Sequence, residues 1–225
     1  MPEKPVLSLV IPCYNEEKNL PELVREFAQA RNGFPIELVL VDNGSRDKSA
    51  EVMKKLAAEH AFIKIVTVEK NVGYGHGIMS GLRQGSGEFL AWTHADLQTD
   101  VADVVRAWQL LEKESNPKNV LVKGSRGKRQ VLDLVFTNGF GLFSSLLLGF
   151  WLSDINAQPK VFHKSFLQKM VNPPLDFALD VYVMALAKKL EMAVLSVPVE
   201  FKERLYGESK SAPNLAAKLH TNMIM

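Results

Sequence analysis

Four short apolar runs, Val6 to Ile11, Ile36 to Val41, Ile63 to Val68 and Phe89 to Trp92, are rich in β-branched or aromatic residues and nearly unbroken by polar positions. Such continuity predicts strands covered on both faces. Between them the period changes. Leu20, Leu23, Val24, Phe27 and Ala28 recur at helical intervals, with Asn19 placed to cap the helix and Pro21 in its tolerant first turn. A second helix is expected from Asp47 to Glu59, burying Ala50, Met53, Leu56 and Ala57, and a third from Val101 to Glu114. Strand alternating with helix predicts right-handed βαβ units, hence an α/β fold with a mostly parallel central sheet and helices on both faces.

Each apolar run ends in a polar motif. These are Pro12-Cys13-Tyr14-Asn15-Glu16-Glu17, Asp42-Asn43-Gly44-Ser45, Asn71-Val72-Gly73-Tyr74-Gly75 and His94-Ala95-Asp96-Leu97-Gln98-Thr99-Asp100. In a parallel sheet all four emerge at one edge, where open α/β sheets bind ligands. The arrangement predicts a nucleotide and metal site.

The chain of 225 residues has no Pro/Gly/Ser-rich linker, internal repeat or low-complexity tract, and reads as one domain over residues 1–225. A net charge of +2, without a basic run interleaved with aromatics, argues against nucleic acid as a partner. A lone cysteine, Cys13, excludes an internal disulfide framework and points to a reducing cytosol. Its expected role is that of a small buried residue after the first strand. The first strand begins too early to leave room for a signal peptide.

The apolar stretch from Val131 to Leu152 is long enough to cross a bilayer, for which about 20 residues suffice. Asp133, Asn138, Ser144, Ser145 and glycines interrupt it, however. A crossing would also separate the four motifs from the polar segments that follow. The alternatives are a buried or oligomer-forming helix, and an interfacial helix that meets a lipid-linked substrate.

The fourth motif carries the most chemistry. In an extended segment His94, Asp96 and Gln98 would face one way. One carboxylate among such ligands suits Mg²⁺ shared with substrate phosphates, and an imidazole ligand tilts the choice toward Mn²⁺. Alternatively, Asp96 and Asp100 cap the helix starting near Val101. Tyr14, Asn15 and Glu16 can hold a nucleobase and ribose. Asp42 can accept from base N–H groups or cap its own turn, and Gly73, Gly75 and Gly77 permit close backbone approach. Their spacing and position after the third strand do not match the dinucleotide fingerprint GxGxxG. Asp176 and Asp180, four apart on an expected helix, share a face as candidate bases or as salt-bridging and capping residues. Arg204 and Lys210 flank Tyr206-Gly207-Glu208-Ser209, which reads as a lid or as a solvated surface segment.

Together with Gly124-Ser125-Arg126, Phe177-Ala178-Leu179-Asp180, Val197-Pro198-Val199 and Arg204-Leu205-Tyr206-Gly207-Glu208-Ser209-Lys210, these motifs resemble those of family 2 glycosyltransferases of the Rossmann-like GT-A fold. The nearest subgroup is the dolichyl/polyprenyl-phosphate sugar transferases, of the dolichol-phosphate mannosyltransferase type. The resemblance implies donor binding by Pro12, Tyr14, Asn15, Glu16, Asp42 and Gly73, and metal ligation by Asp96, Gln98 and His94. It implies a phosphate-binding role for Arg126 and catalytic roles for Asp96, Asp180, Arg204 and Lys210. His94 replaces the first aspartate of the usual Asp-Ala-Asp, and Asn43 stands where a second aspartate is frequent.

What the resemblance implies is an inverting transferase that uses Mg²⁺ or Mn²⁺. It would move a sugar from a nucleotide-diphosphate donor to a polyprenyl phosphate at the cytoplasmic membrane face. The alternatives are transfer to a sugar hydroxyl in a surface glycan, and a noncatalytic nucleotide-sugar-binding homologue.

Overall fold

The computed structural model describes residues 4–126 and 154–202. The expected apolar segment 131–152, with Arg204 and Lys210, lies outside the described residues.

Strands β1 (Leu7–Cys13), β2 (Ile36–Asn43), β3 (Ile63–Val68) and β4 (Phe89–Trp92) are the four apolar runs, with β1 and β2 extending into their polar motifs. Helices α1 (Leu20–Ala30), α2 (Ser49–Glu59) and α3 (Tyr74–Leu82) connect them, and α4 (Ala102–Glu112) leads on to β5 (Val120–Arg126). After the undescribed stretch come β6 (Lys160–His163), the single turn α5 (Lys164–Leu167), α6 (Ala178–Lys189) and β7 (Ala193–Val199). The sheet among the described residues has seven strands in the order β3-β2-β1-β4-β6-β5-β7. Strand β6 runs antiparallel to β4 and β5, and the other pairings are parallel.

Alternation along the strands builds a core on each face. Leu7, Leu9 and Ile11 of β1 join Leu38 and Leu40 of β2 beneath α1, α2 and α4, where Phe27, Met53 and Trp108 pack. Val10, Val39 and Val41 point the other way, toward Ile78 of α3 and Leu179 and Val183 of α6. Burying Leu20, Leu23, Val24 and Phe27 on α1 contributes roughly 1.5–3 kcal/mol per side chain relative to exposure. The expectation of strands covered on both faces fails for β3. As an edge strand it has no fully buried residue.

Two helix starts also differ from expectation. Helix α2 begins at Ser49 rather than Asp47, because Asp47 uses its carboxylate to hold the Ser49 amide at 2.9 Å. Asn19 makes no side-chain cap to α1; its Nδ2 donates to Glu16 Oε2 at 2.6 Å.

The site is positioned where β1 and β4 part. Their ladder ends at Val10 and Trp92, whereas β1 stays paired to β2 as far as Cys13 and Asp42. Chain order reverses between β1 and β4, the kind of switch point at which open sheets leave a crevice. Pro12, which has no amide to donate, lies in the part of β1 beyond the β4 pairing.

Candidate active site

The loops after β1 and β2 are stitched together. The Asn15 amide donates to Ser45 Oγ at 3.1 Å, and Asn15 Oδ1 accepts the Arg46 amide at 2.7 Å. The Glu16 amide donates to Ser49 Oγ at 2.8 Å, and Glu17 Oε2 accepts the Lys48 amide at 2.9 Å. Asn15 has φ +57°, a left-handed conformation that asparagine tolerates. Asn15 and Glu16 therefore build the wall at the ends of β1 and β2. Tyr14 and Pro12 are half-buried on the same wall. Asp42 is buried and its Oδ1 accepts the Ser45 amide at 2.9 Å, so the turn-capping alternative is realised. Cys13 is fully buried, and burial, reinforced by Glu16 and Asp42, raises its thiol well above its ordinary value.

The loop after β4 is not an extended strand. The strand ends at Trp92, the chain bends from Ala95 to Thr99, and Leu97 takes φ +57°. The expectation that alternation alone would aim His94, Asp96 and Gln98 the same way is therefore corrected. Asp96 is 9% exposed and its Oδ1 accepts the Gln98 amide at 3.3 Å. Gln98 Nε2 reaches the Lys202 carbonyl at 3.3 Å, while the Lys202 amide donates to the Gln98 carbonyl at 2.8 Å. The ring of His94 stacks on Tyr74 at 5.6 Å. Burial lowers the pKa of His94, against the opposing pull of Asp96 and Asp180, which favours the neutral imidazole. Asp100 holds the Ala102 amide at 2.8 Å, the helix-capping role expected of it.

Among the described residues no three His, Cys, Asp or Glu side chains gather to hold a metal ion by themselves. One buried carboxylate, Asp96, nonetheless fits Mg²⁺ or Mn²⁺ that completes its shell with donor phosphates.

Gly73 and Gly75 do permit a close approach, but to this chain itself. A Cβ at Gly73 would lie 2.3 Å from the Leu175 carbonyl oxygen, and one at Gly75 would lie 2.5 Å from that of Pro174. The segment 174–176 thus seats against the start of α3, where the His76 amide donates to the Leu175 carbonyl at 2.9 Å.

Asp176 and Asp180 do not share a helix face as expected. Asp176 precedes α6 and holds the Ala178 amide at 2.9 Å, whereas Asp180 is inside α6 and 3% exposed. Asp180 Oδ1 meets the Lys160 ammonium at 3.0 Å and Gln158 Nε2 at 3.0 Å. Arg126, at the end of β5, lies over the Phe201 ring with its guanidinium carbon 4.1 Å from the centroid, and donates to the Asn156 carbonyl at 3.4 Å.

Sequence reading missed Tyr74, Gln158, Lys160 and Phe177. One signal was available. Lys160 is a lone charge entering the apolar run Val161-Phe162, the setting in which a buried counter-ion is required.

With this geometry, the comparisons define the class. A family model described as Glycosyl transferase family 2 matches residues 8–140, and the chain belongs to that family. It is 29% identical over 224 residues to the undecaprenyl-phosphate 4-deoxy-4-formamido-L-arabinose transferase of Pseudomonas fluorescens (strain Pf0-1), covering 97% of this chain and 64% of that protein. It is 27% identical to the dolichyl-phosphate beta-glucosyltransferase ALG5A of Trichomonas vaginalis, covering 90% of this chain and 67% of that protein. The chain thus spans about two thirds of the length of such relatives.

The fold is shared with glucosyl-3-phosphoglycerate synthase from Mycobacterium tuberculosis, solved in complex with Mn²⁺ and uridine-diphosphate-glucose. The TM-score is 0.73 at 18% identity, covering 98% of this chain and 76% of that one. The α/β, GT-A architecture expected from the sequence is the one observed. No helix among the described residues is long and apolar enough to cross a membrane.

Proposed function

We propose that this chain is an inverting glycosyltransferase that moves a sugar from a nucleotide-diphosphate donor to a polyprenyl phosphate, working peripherally at the cytoplasmic face of a membrane. The observation that carries the reading is the crevice between the ends of β1 and β4. There Pro12, Tyr14 and the Asn15–Glu16 wall follow the end of the β1–β4 pairing and Asp96 lies in the loop after β4, in a chain of family 2. The printed activities of the undecaprenyl- and dolichyl-phosphate relatives support the acceptor class.

In the reaction an ionised phosphate oxygen of the acceptor attacks the anomeric carbon. A new C–O bond forms as the bond to the nucleoside diphosphate breaks, and no proton need move. Mg²⁺ or Mn²⁺, when bound, supplies charge stabilisation to the leaving diphosphate. Asp96 would hold it, with His94 and Gln98 as flanking ligand candidates. Asp42 would recognise the base through the oxygen that its turn does not use, beside Tyr14. Arg126, Arg204 and Lys210 are the cations assigned to acceptor phosphate and departing diphosphate.

The test supplies UDP- and GDP-linked sugars carrying a radiolabel, a divalent cation, and either undecaprenyl phosphate in detergent or soluble glycans. Divalent-dependent transfer of label to the lipid fraction is expected. Label appearing only in the glycans would replace the lipid acceptor with a hydroxyl one.

A further inference from the structure

Lys160 has no solvent exposure, and its ammonium meets the Ile155 carbonyl at 2.8 Å, the Ala157 carbonyl at 2.9 Å and Asp180 Oδ1 at 3.0 Å. Three oxygens around three N–H protons match the charged amine. Burial lowers the Lys160 pKa and the Asp180 carboxylate opposes that fall. Asp180 Oδ1 also accepts Gln158 Nε2, and the same nitrogen donates to the Tyr74 hydroxyl at 3.2 Å. The Tyr74 ring stacks on His94 and, at 4.9 Å and 16°, on Phe177.

A general base must gain a proton in every turnover. Were Asp180 to do so, the fully buried Lys160 would lose the carboxylate in contact with it, which is the strongly unfavourable outcome of breaking a buried pair. The geometry suits a carboxylate whose charge stays constant. The Tyr74 stack also joins three separate segments at the site: the start of α3, the loop carrying Asp96, and the residue before α6. Anything that fixes Tyr74 fixes all three.

We propose that Asp180 is a positioning residue rather than the base: clamped by Lys160 and Gln158, it anchors the Tyr74 hydroxyl and so orients the His94–Tyr74–Phe177 ring stack next to Asp96. This rests on the sugar-transfer reading and deepens it, because a site whose buried acid is committed to a lysine suits an acceptor that arrives as an oxyanion.

The experiment compares Asp180→Asn, the double variant Lys160→Met with Asp180→Asn, and Tyr74→Phe. Three quantities are read: thermal unfolding, lipid-phosphate transfer, and the Cε1 proton resonance of His94, identified by its loss in His94→Gln. Asp180→Asn alone strands the lysine. It should lower both the midpoint and turnover, the latter by about 100-fold as expected for a disturbed reacting geometry.

The double variant removes the stranded charge and leaves an amide able to bond Gln158 and Tyr74. Its midpoint should recover, and its turnover should return to within about 10-fold of wild type, since a buried pair can be replaced as a unit. A folded double variant as inactive as the single one would overturn the proposal, because that is the behaviour of a lost base. If the double variant does not fold, Tyr74→Phe decides. It should fold, shift the His94 resonance and slow transfer about 10-fold, the order of one lost hydrogen bond, and unchanged turnover would refute the anchor. If wild-type protein transfers no sugar, the functional reading fails separately. The His94 resonance then still decides, and an unmoved signal in Tyr74→Phe and Asp180→Asn overturns the positioning role.

Discussion

Asp96 joins the β4 end to the proposed diphosphate chemistry, and two residues before it His94 stands where an aspartate is usual. Asp96→Ala is expected to abolish divalent-dependent nucleotide binding, measured by titration calorimetry with UDP or GDP and Mn²⁺. It should also reduce transfer by at least about 100-fold, the scale of a major electrostatic stabiliser. Metal-dependent binding that survives unchanged would remove Asp96 from the metal site.

Asp96 was legible in the sequence because a polar motif that ends an apolar run must surface at the strand edge. The partner of Asp180 was not. Lys160 and Asp180 are brought together by β6 inserting beside β4, and no local spacing encodes that contact. Nor could spacing show that Asn15 and Glu16 brace a neighbouring loop, since a polar residue at a strand end reads the same whether it meets a ligand or a backbone amide.

At the scale of elements, the two stitched loops and the glycine start of α3 carry the stability of the site. Asp47 links both loops, holding the Ser49 amide at 2.9 Å and the Glu17 amide at 3.3 Å. Burial alone would raise its pKa, but the hydrogen bonds from Ser49 and Glu17 hold it below its ordinary value of 3.8. A carboxyl whose folded pKa is depressed stabilises the protein above its unfolded pKa, and that contribution is lost as pH falls through the folded value. Urea unfolding between pH 5 and pH 2.5 should therefore show a steeper acid loss for the wild type than for Asp47→Asn. Parallel curves would remove Asp47 from the linkage.

Gly75→Ala places a Cβ against two backbone carbonyls, those of Pro174 at 2.5 Å and Asp176 at 2.7 Å. A cost on the order of 1–3 kcal/mol in the urea midpoint is expected, as for overpacking against atoms that cannot step aside. Of the seven strands among the described residues, β1 to β4 were legible from hydrophobic runs, β3 and β4 in full. The missing cap of α1 was not, because Asn19 itself takes helical backbone angles and turns its Nδ2 onto Glu16 Oε2 instead of its oxygen onto the helix amides.

For the whole molecule, the proposed donor site spans loops from β1, β2 and β4, so occupancy should be felt as global stability. A nucleoside diphosphate with Mn²⁺ at 100 times its dissociation constant adds about 2.7 kcal/mol to unfolding if only the folded state binds it. A thermal melt with UDP, GDP, CDP and ADP should single out one of them, and equal response to all four, with or without metal, would speak against a base-selective site. The mostly parallel order was legible because alternating strand and helix leaves few topologies. The antiparallel β6 was not, since its neighbours β4 and β5 both precede the undescribed stretch, and strand direction there depends on distant pairing.

The paired loops at the ends of β1 and β2 carry a lesson for redesign. Asn15 donates its amide to Ser45 Oγ and accepts the Arg46 amide at Oδ1, so each side of the seam supplies acceptors to amides of the other. Grafting one loop from a relative with different nucleotide preference would orphan those amides at the proposed donor site. The smallest transplantable unit of the proposed base recognition is therefore two segments far apart in sequence, exchanged as a matched set, and libraries that vary either loop alone should yield mainly unstable proteins rather than altered donors.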